Sequence, residues 1–314
     1  MCGNTCARRL VNDGHDMASS RFIPIMRCLA ENGAQSSARL AQRLKLSPSV
    51  VRRALSVLRG TYGAVEYHQP TWQLTFSPQW LCVETLSAAL PECKVVVVEE
   101  TPGTNMLAKT GASKSVFFAE HQTQGRGRYG RRWLAVPGGA VMLSLRLPAP
   151  ASLSGLSLAV GTALCQSLSP GLRLKWPNDL LNARGEKVGG ILIETADDDV
   201  IVGAGINLIM TARLREHVAR PMSAIDMPRM TCAVSAVQTL YRAVEVFTRG
   251  GLSSFLPDAM EAHYYRAGSK MEFRHADGIA RGRFAGFAED GALLMECGGV
   301  RRFVSGEIAH VVGG

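Results

Sequence analysis

Between Gly125 and Arg132 the chain places three glycines and four arginines on eight positions, in the stretch GRGRYGRRW that closes at Trp133. Glycine lets a backbone come close to a ligand and turn its N–H groups toward it, and arginine pairs with carboxylate or phosphate oxygens through a planar fork. A loop of this composition gathers anions, with Trp133 anchoring its exit or stacking on a ring. The spacing Gly125-x-Gly127-x-x-Gly130 is that of a dinucleotide fingerprint, but arginines fill its variable positions, and no GxxxxGK[ST] phosphate loop occurs in the chain. Two later stretches carry matching chemistry, LKWPNDLL at 174–181 and GEKVGGILIE at 185–194. Pro177 fixes a turn, Asn178 and Asp179 bring an amide and a carboxylate to a strand end, and Lys187 stands ahead of a strand opened by Gly189-Gly190. Taken singly, each has a plainer reading: an arginine-glycine tract that binds nucleic acid without folding, a turn or helix cap, a solvated charge at a strand edge.

The elements around these residues argue for a folded loop. SVFFAEHQ before it and GAVMLSLRL after it read as core strands, and CKVVVVEET ahead of both is an almost unbroken β-branched run, expected to be buried on both faces. Further strands are expected at LRLKWP, KVGGILIET and DVIVGAGINL, with helices over 153–168 and 232–248. The result is a mixed α+β sheet domain over 79–267. From 268 to 314 five short β-runs separated by Gly or Asp-Gly turns predict a small, SH3-like β-barrel.

The front of the chain differs in charge. Of the net +9, residues 1–80 carry +6, ten Lys/Arg against four Asp/Glu. Helical spacing over Phe22–Asn32, then SSARLAQRLKL capped by Ser36 or Ser37, then SPSVVRRALSVLRG capped by Ser47 with Pro48 at its first position, gives three short helices. Strand-like residues on either side of Gln69-Pro70 add a two-stranded wing. Helix, helix-turn-helix and wing over 21–78 is the order of a winged-helix DNA-binding domain, with Ser49, Arg52 and Arg53 facing outward from the third helix toward a polyanion. A small packing or dimerisation unit fits the same pattern. Residues 1–20 have no apolar periodicity and are expected to be a disordered extension, with Met17 as an internal start.

Composition excludes other classes. No apolar run approaches the ~20 residues of a membrane span, and the first twenty residues lack a secretory core. Eight scattered cysteines, without CxxC or His/Cys ligand spacing, read as reduced thiols, mostly in the core, of a cytoplasmic protein. The seven histidines form no metal motif and are read as satisfied or solvated.

Together the GRGRxGRxW loop at Gly125–Trp133, KWPND at Lys175–Asp179 and KxGGI at Lys187–Ile191 resemble the signature of the biotin protein ligases. GAGINL at 203–208 also matches, and Gly103-Thr104-Asn105 stands where the family usually has Ser-Thr-Asn, so that one hydroxyl is replaced by hydrogen. The layout is similar to the bifunctional class, in which the ligase is also the biotin operon repressor. The resemblance implies that biotin and ATP give biotinyl-5′-adenylate and pyrophosphate, and that the biotinyl group passes to a lysine of a biotin carboxyl carrier domain. It implies a biotin site at Thr104, Asn105, Gln122, Arg126, Gly127, Arg128 and Lys187, and an adenylate site at Arg128, Arg131, Trp133, Asn178, Lys187 and Asn207. Lys187 and Arg128 would carry the catalysis, Asp179 would be an indirect magnesium ligand, and a homodimer would bind the operator. Other readings are a ligase whose winged helix is purely structural and a DNA-binding biotin sensor without ligase activity.

Overall fold

A computed structural model describes residues 21–312; the extension expected over 1–20 lies outside them, as do Cys2, Cys6 and His15. Helix α1 (Phe22–Asn32) buries Phe22, Ile23, Ile25, Met26, Cys28 and Leu29. Helix α2 (Ser37–Leu44) begins where the Ser36 hydroxyl accepts from the Arg39 N–H, and α3 (Pro48–Gly60) where Ser47 accepts from the Val50 N–H. Ser47 is the cap the sequence predicts, and Ser36 is one of the two it offers. The hairpin β1 (Val65–His68) and β2 (Thr71–Leu74) follows. On α3, Val51, Ala54, Leu55 and Leu58 are buried, while Ser49, Arg52, Arg53 and Ser56 are exposed.

Helix α4 (Val83–Ala89) leads into a seven-stranded sheet. Its strands are β3 (Lys94–Thr101), β4 (Ser115–Gln122), β5 (Ala140–Pro148), β6 (Arg173–Lys175), β7 (Asp179–Leu181), β8 (Lys187–Ala196) and β9 (Asp199–Asn207). They lie in the order β3-β4-β5-β9-β8-β7-β6, with β3 and β4 parallel and the other pairs antiparallel. Strand β3 corrects an expectation: its valines are half-buried rather than enclosed, because the strand is the edge of the sheet. A β-branched run reports strand propensity, and here it does not report two covered faces.

The short helix α5 (Thr104–Lys109) was not legible, being six residues with no side-chain N-cap. Helix α6 (Leu156–Leu168) and the longer α8 (Arg229–Gly250) pack together and share one apolar core with the sheet; α7 (Ala212–Glu216) and α9 (Leu256–Ala262) are short. The last five strands, β10 (Lys270–His275), β11 (Gly278–Phe287), β12 (Leu293–Glu296), β13 (Val300–Phe303) and β14 (Glu307–Val312), form an antiparallel sheet ordered β13-β12-β11-β10-β14.

The N-terminal unit does not hang on a free tether. Its core includes Val136 and Leu214 from the larger unit, with Leu134, Ile209 and Met210 packed against it. The connection is stapled: Leu81 N–H donates to Glu120 Oε1 at 2.9 Å, and Arg229 donates to the Gln79 carbonyl at 3.0 Å while forming a buried ion pair with Glu120. His121, buried, lies 5.2 Å from the Phe22 ring and 5.7 Å from Tyr62, filling the wall between the units. Cys28, Cys93, Cys165 and Cys232 are buried free thiols, as expected; Cys82 and Cys297 are half-buried.

Candidate active site

The glycine-arginine loop is a small ordered hairpin. Arg126 and Arg132 form a β-bridge, Gly127 N–H donates to Arg131 O at 2.7 Å, and Trp133 N–H to Gly125 O at 2.8 Å. Tyr129 and Gly130 take φ of 56° and 69°, the two successive positive values of a tight hairpin turn. A Cβ on Gly125 would stand 2.7 Å from the Trp133 carbonyl oxygen. Two of the three glycines are therefore required by the hairpin itself. Gly127, whose Cβ would meet nothing closer than 3.7 Å, is free for close approach of a ligand.

This hairpin overhangs a cavity of about 1450 Å³, walled also by α5, the β6–β7 turn, β8, β9, residues 217–222 and the C-terminal sheet. Thr104, Asn105, Gln122, Arg126, Gly127, Arg128, Arg131, Trp133, Asn178, Asp179 and Lys187 all line it. Asn207 does not: it is fully buried, donates to Ser223 O at 3.2 Å, and leaves its Oδ1 without a partner. Trp133 packs against β9, where a Cβ on Gly205 would come within 2.6 Å of the indole, and the Lys187 ammonium sits 5.7 Å from the ring centre.

One end of the cavity is cationic. The Asp179 carboxylate, at the start of β7, holds the Lys187 ammonium on one oxygen and Arg220 on the other, the latter at 2.7 Å. Arg220 reaches on to Glu307 at 3.3 Å, and Glu307 accepts from Arg131 at 3.0 Å. Hydrogen bonding from Arg131 holds the Glu307 carboxyl below the usual carboxylate range. Burial pushes the Lys175 amine down against the pull of Asp179. Arg128 stacks on Tyr129, 5.0 Å from the ring centre, and donates to its hydroxyl.

The other end is the more enclosed, with Thr104 and Asn105 buried and its one carboxylate, Glu194, balanced by Lys109. Gln122 Oε1 accepts from Thr104 N–H at 2.7 Å, and the Asn105 amide donates to Glu194 at 2.8 Å. Lys109 pairs with Glu194 at 2.6 Å. A Cβ on Gly203 would stand 2.3 Å from Asn105 Oδ1, so glycine there makes room for the amide. Asn178 supports the wall between the two ends by donating to Ile191 O at 2.7 Å.

Sequence reading missed Arg220, Glu307, Ser144, Lys109 and Glu194. Arg220 lies 41 residues from Asp179 and Glu307 lies 176 from Arg131, separations over which no motif spacing operates. Among the described residues no group of three or more His, Cys, Asp or Glu could hold a metal ion. With both Asp179 oxygens occupied by cations, the donor set does not fit a protein-held magnesium.

Residues 97–208 match the model of the biotin/lipoate A/B protein ligase family. The bifunctional ligase/repressor BirA of Escherichia coli (strain K12) is 30% identical over 319 residues, covering 91% of this chain and 96% of that protein. The chain belongs to the biotin protein ligase family. The biotin–[acetyl-CoA-carboxylase] ligase of Mycobacterium tuberculosis is 41% identical over 129 residues, 36% of this chain and 48% of that one. The biotin protein ligase from Aquifex aeolicus, solved in complex with biotin and ATP, has the same fold as this ligase over 69% of the present chain and 97% of its own, with a TM-score of 0.60 at 24% identity. Among the described residues of the ligase, no helix is long and apolar enough to cross a membrane.

Proposed function

We propose that this ligase condenses biotin with ATP to biotinyl-5′-adenylate, releasing pyrophosphate, and passes the biotinyl group to a lysine of a biotin carboxyl carrier domain such as that of acetyl-CoA carboxylase. The observation that carries this reading is one cavity with a buried neutral end, a cationic end, and Lys187 on the wall with the latter. Biotin has a neutral ring system and a carboxylate tail, and the nucleotide is a polyanion. Thr104, Asn105 and Gln122 take the ring, Arg126, Gly127 and Arg128 the tail, and Arg128, Arg131, Trp133 and Asn178 the nucleotide. Lys187 meets the tail carboxylate and the α-phosphate, where two anions must approach each other and charge builds in the transition state. Asn207, fully buried and off the cavity wall, supports the nucleotide set from behind by holding the Ser223 carbonyl. Magnesium would arrive on the triphosphate, with Asp179 acting on it at most through water, and no step here runs through it. In the second half-reaction the carrier's lysine nitrogen attacks the acyl carbon, AMP leaves with the electron pair, and the nitrogen loses a proton.

Incubation with biotin, MgATP and a carrier domain, followed by mass measurement of the carrier, tests this reading. A gain of one biotinyl group is expected, and an unmodified carrier would refute it.

The N-terminal unit supports a second activity, with the domains divided at 21–78, 79–267 and 268–314. Its three helices and hairpin fit a winged helix, and α3 presents Ser49, Arg52 and Arg53 to solvent opposite its buried face. The C-terminal sheet fits an SH3-like barrel. A homodimer would place two such helices on a two-fold-related operator, making the ligase a biotin-responsive repressor in the cytoplasm. Replacing Arg52 and Arg53 with alanine should weaken operator binding and flatten its salt dependence while carrier biotinylation persists. A wild-type protein with no operator footprint in the presence of biotin and ATP would remove this second activity.

A further inference from the structure

The neutral end of the cavity contains a hydrogen-bond relay whose direction is fixed by one charge. Glu194 lines the cavity and pairs with Lys109 at 2.6 Å. Burial opposes its ionisation, but the hydrogen bonds from Lys109 and Asn105 outweigh it and hold the carboxyl below its ordinary value. An ionised carboxylate only accepts, so the Asn105 amide must turn its nitrogen toward it, at 2.8 Å, with a second N–H toward Leu192 O at 3.3 Å. Asn105 Oδ1 is thereby compelled to accept, and its donor is the Ser144 hydroxyl at 2.5 Å.

Ser144 has one proton, now used. Its oxygen also lies 2.8 Å from Thr104 Oγ1; with that proton spent on Asn105, Ser144 can only accept there, and the Thr104 proton goes to Ser144 or to Gln122 Oε1, 3.2 Å away. Gln122 Oε1 also accepts the Thr104 backbone N–H at 2.7 Å, and by either route the Thr104 proton stays within the protein. Thr104 therefore turns a lone pair, and no proton, toward the cavity. Gln122, with its oxygen held by that N–H, has its NH₂ group as the donor. Ser144 itself is fully buried behind the cavity wall, and Thr104 and Asn105 are almost so.

We infer that Ser144 and Glu194 are specificity-determining residues, which select a cyclic urea by freezing the pocket's polarity as acceptor at Thr104 and donor at Gln122. A cyclic urea offers the complement, an N–H donor beside a carbonyl acceptor. This inference rests on the biotin reading above. Ser144 acts through Thr104 and is a positioning residue.

The two side chains can be relaxed separately. Ser144→Ala removes the nearer acceptor of the Thr104 proton and leaves it the longer contact to Gln122 Oε1, so that the hydroxyl can turn and donate into the cavity. Glu194→Gln keeps the shape but lets Asn105 turn over, and the relay can then run backwards through Ser144 to Thr104. The test compares pyrophosphate release with biotin and with its cyclic carbamate analogue, in which one ureido N–H is a ring oxygen and so presents an acceptor to Thr104. Wild-type kcat/KM should favour biotin by about a hundredfold or more, as expected for a site built to pair a polar group. Both variants should narrow that preference to below about tenfold, mainly through the KM of biotin, with the KM of ATP unmoved. A purely structural defect would lower both ring substrates equally and leave the ratio intact. An unchanged ratio in either variant overturns the inference; wild-type protein that cannot turn over biotin overturns the function it rests on. If Ser144→Ala does not fold, Glu194→Gln, at the cavity surface, decides alone.

Discussion

The two ends of the cavity are built on opposite principles. At the neutral end, Thr104, Asn105 and Ser144 are buried, and each polar group is oriented by another. At the cationic end, Arg131 is half-exposed on a hairpin, and it, Lys187 and Arg220 rest on carboxylates of the protein. On the proposed function, the difference follows from what each end would recognise. Discriminating among neutral groups depends on the direction of hydrogen bonds, so the polarity must be fixed before the ligand arrives. Attraction of an anion depends mainly on distance, so long side chains can wait on internal carboxylates and exchange them for phosphate oxygens.

The largest expected effect lies where the two ends meet. On the proposed function, Lys187→Ala removes the positive charge from the junction of carboxylate and α-phosphate, and loss of one such donor costs on the order of 3 kcal/mol, about a hundredfold in rate. Pyrophosphate release with biotin and ATP reads it; a near-normal rate would return Lys187 to the role of a partner for Asp179. The rigid end is broken next by Gly203→Ala, whose methyl would stand 2.3 Å from Asn105 Oδ1. The KM of biotin should rise by roughly tenfold or more, an effect of the size that overpacking imposes, while that of ATP stays put. Equal changes in both would mean that the two ends are not independent.

Arg128→Gly tests the adaptable end more gently. The arginine's present partner is the exposed Tyr129, so its loss should leave the fold intact and slow synthesis of the adenylate only modestly. If the loop closes over the intermediate, retention should suffer more, because one cation of the hairpin is then missing. Faster adenylate dissociation and biotin labelling of bystander proteins are the measurements, and parent-like selectivity would show that the loop does not retain the intermediate.

The smallest effect concerns the wall between the units. Burial pushes His121 down to about 4, so below pH 6.5 the unfolded chain takes up a proton that the native chain refuses, and stability falls as pH drops toward 4. Its strand neighbour Glu100 is pushed up by burial to about 7. Between pH 4.5 and 7 the native chain holds the extra proton there, and stability falls as pH rises. The two slopes oppose each other. Glu100→Gln should therefore give a stability that climbs more steeply from pH 4.5 to 6.5 than the parent's, read from urea midpoints. Parallel profiles would show that Glu100 titrates alike in both states.

The cationic end was legible because its residues sit in runs. Gly125 to Trp133, Lys175 to Asp179 and Lys187 to Ile191 are each a single loop or strand start, and local spacing sufficed to bring them to one cavity. The three N-terminal helices were equally plain, the first from its apolar spacing and the other two because Ser36, Ser47 and Pro48 mark their starts. The relay behind Thr104 was invisible for the opposite reason. Ser144 and Glu194 come from different strands, and a serine in an apolar strand carries no sign of what it faces. Arg220 and Glu307 were lost in the same way, as ordinary surface charges until the fold set them beside Asp179 and Arg131. Edge position, which left β3 half-covered, belongs to strand order, and the strand's own residues do not state it.

The shared apolar seam also bears on how this ligase behaves when cut. A protease that nicked the connection at the exposed Ser77 would break one covalent bond. It would leave Val136, Leu134, Ile209, Met210 and Leu214 seated in the N-terminal core, with Thr211 still bonded to Tyr62 O at 2.6 Å. The nicked material should therefore travel on a sizing column as one particle and part into two fragments only in denaturant. A shortened ligase for labelling work could not be made by deletion alone, since it would bare this seam to water; it would need polar residues at those five positions.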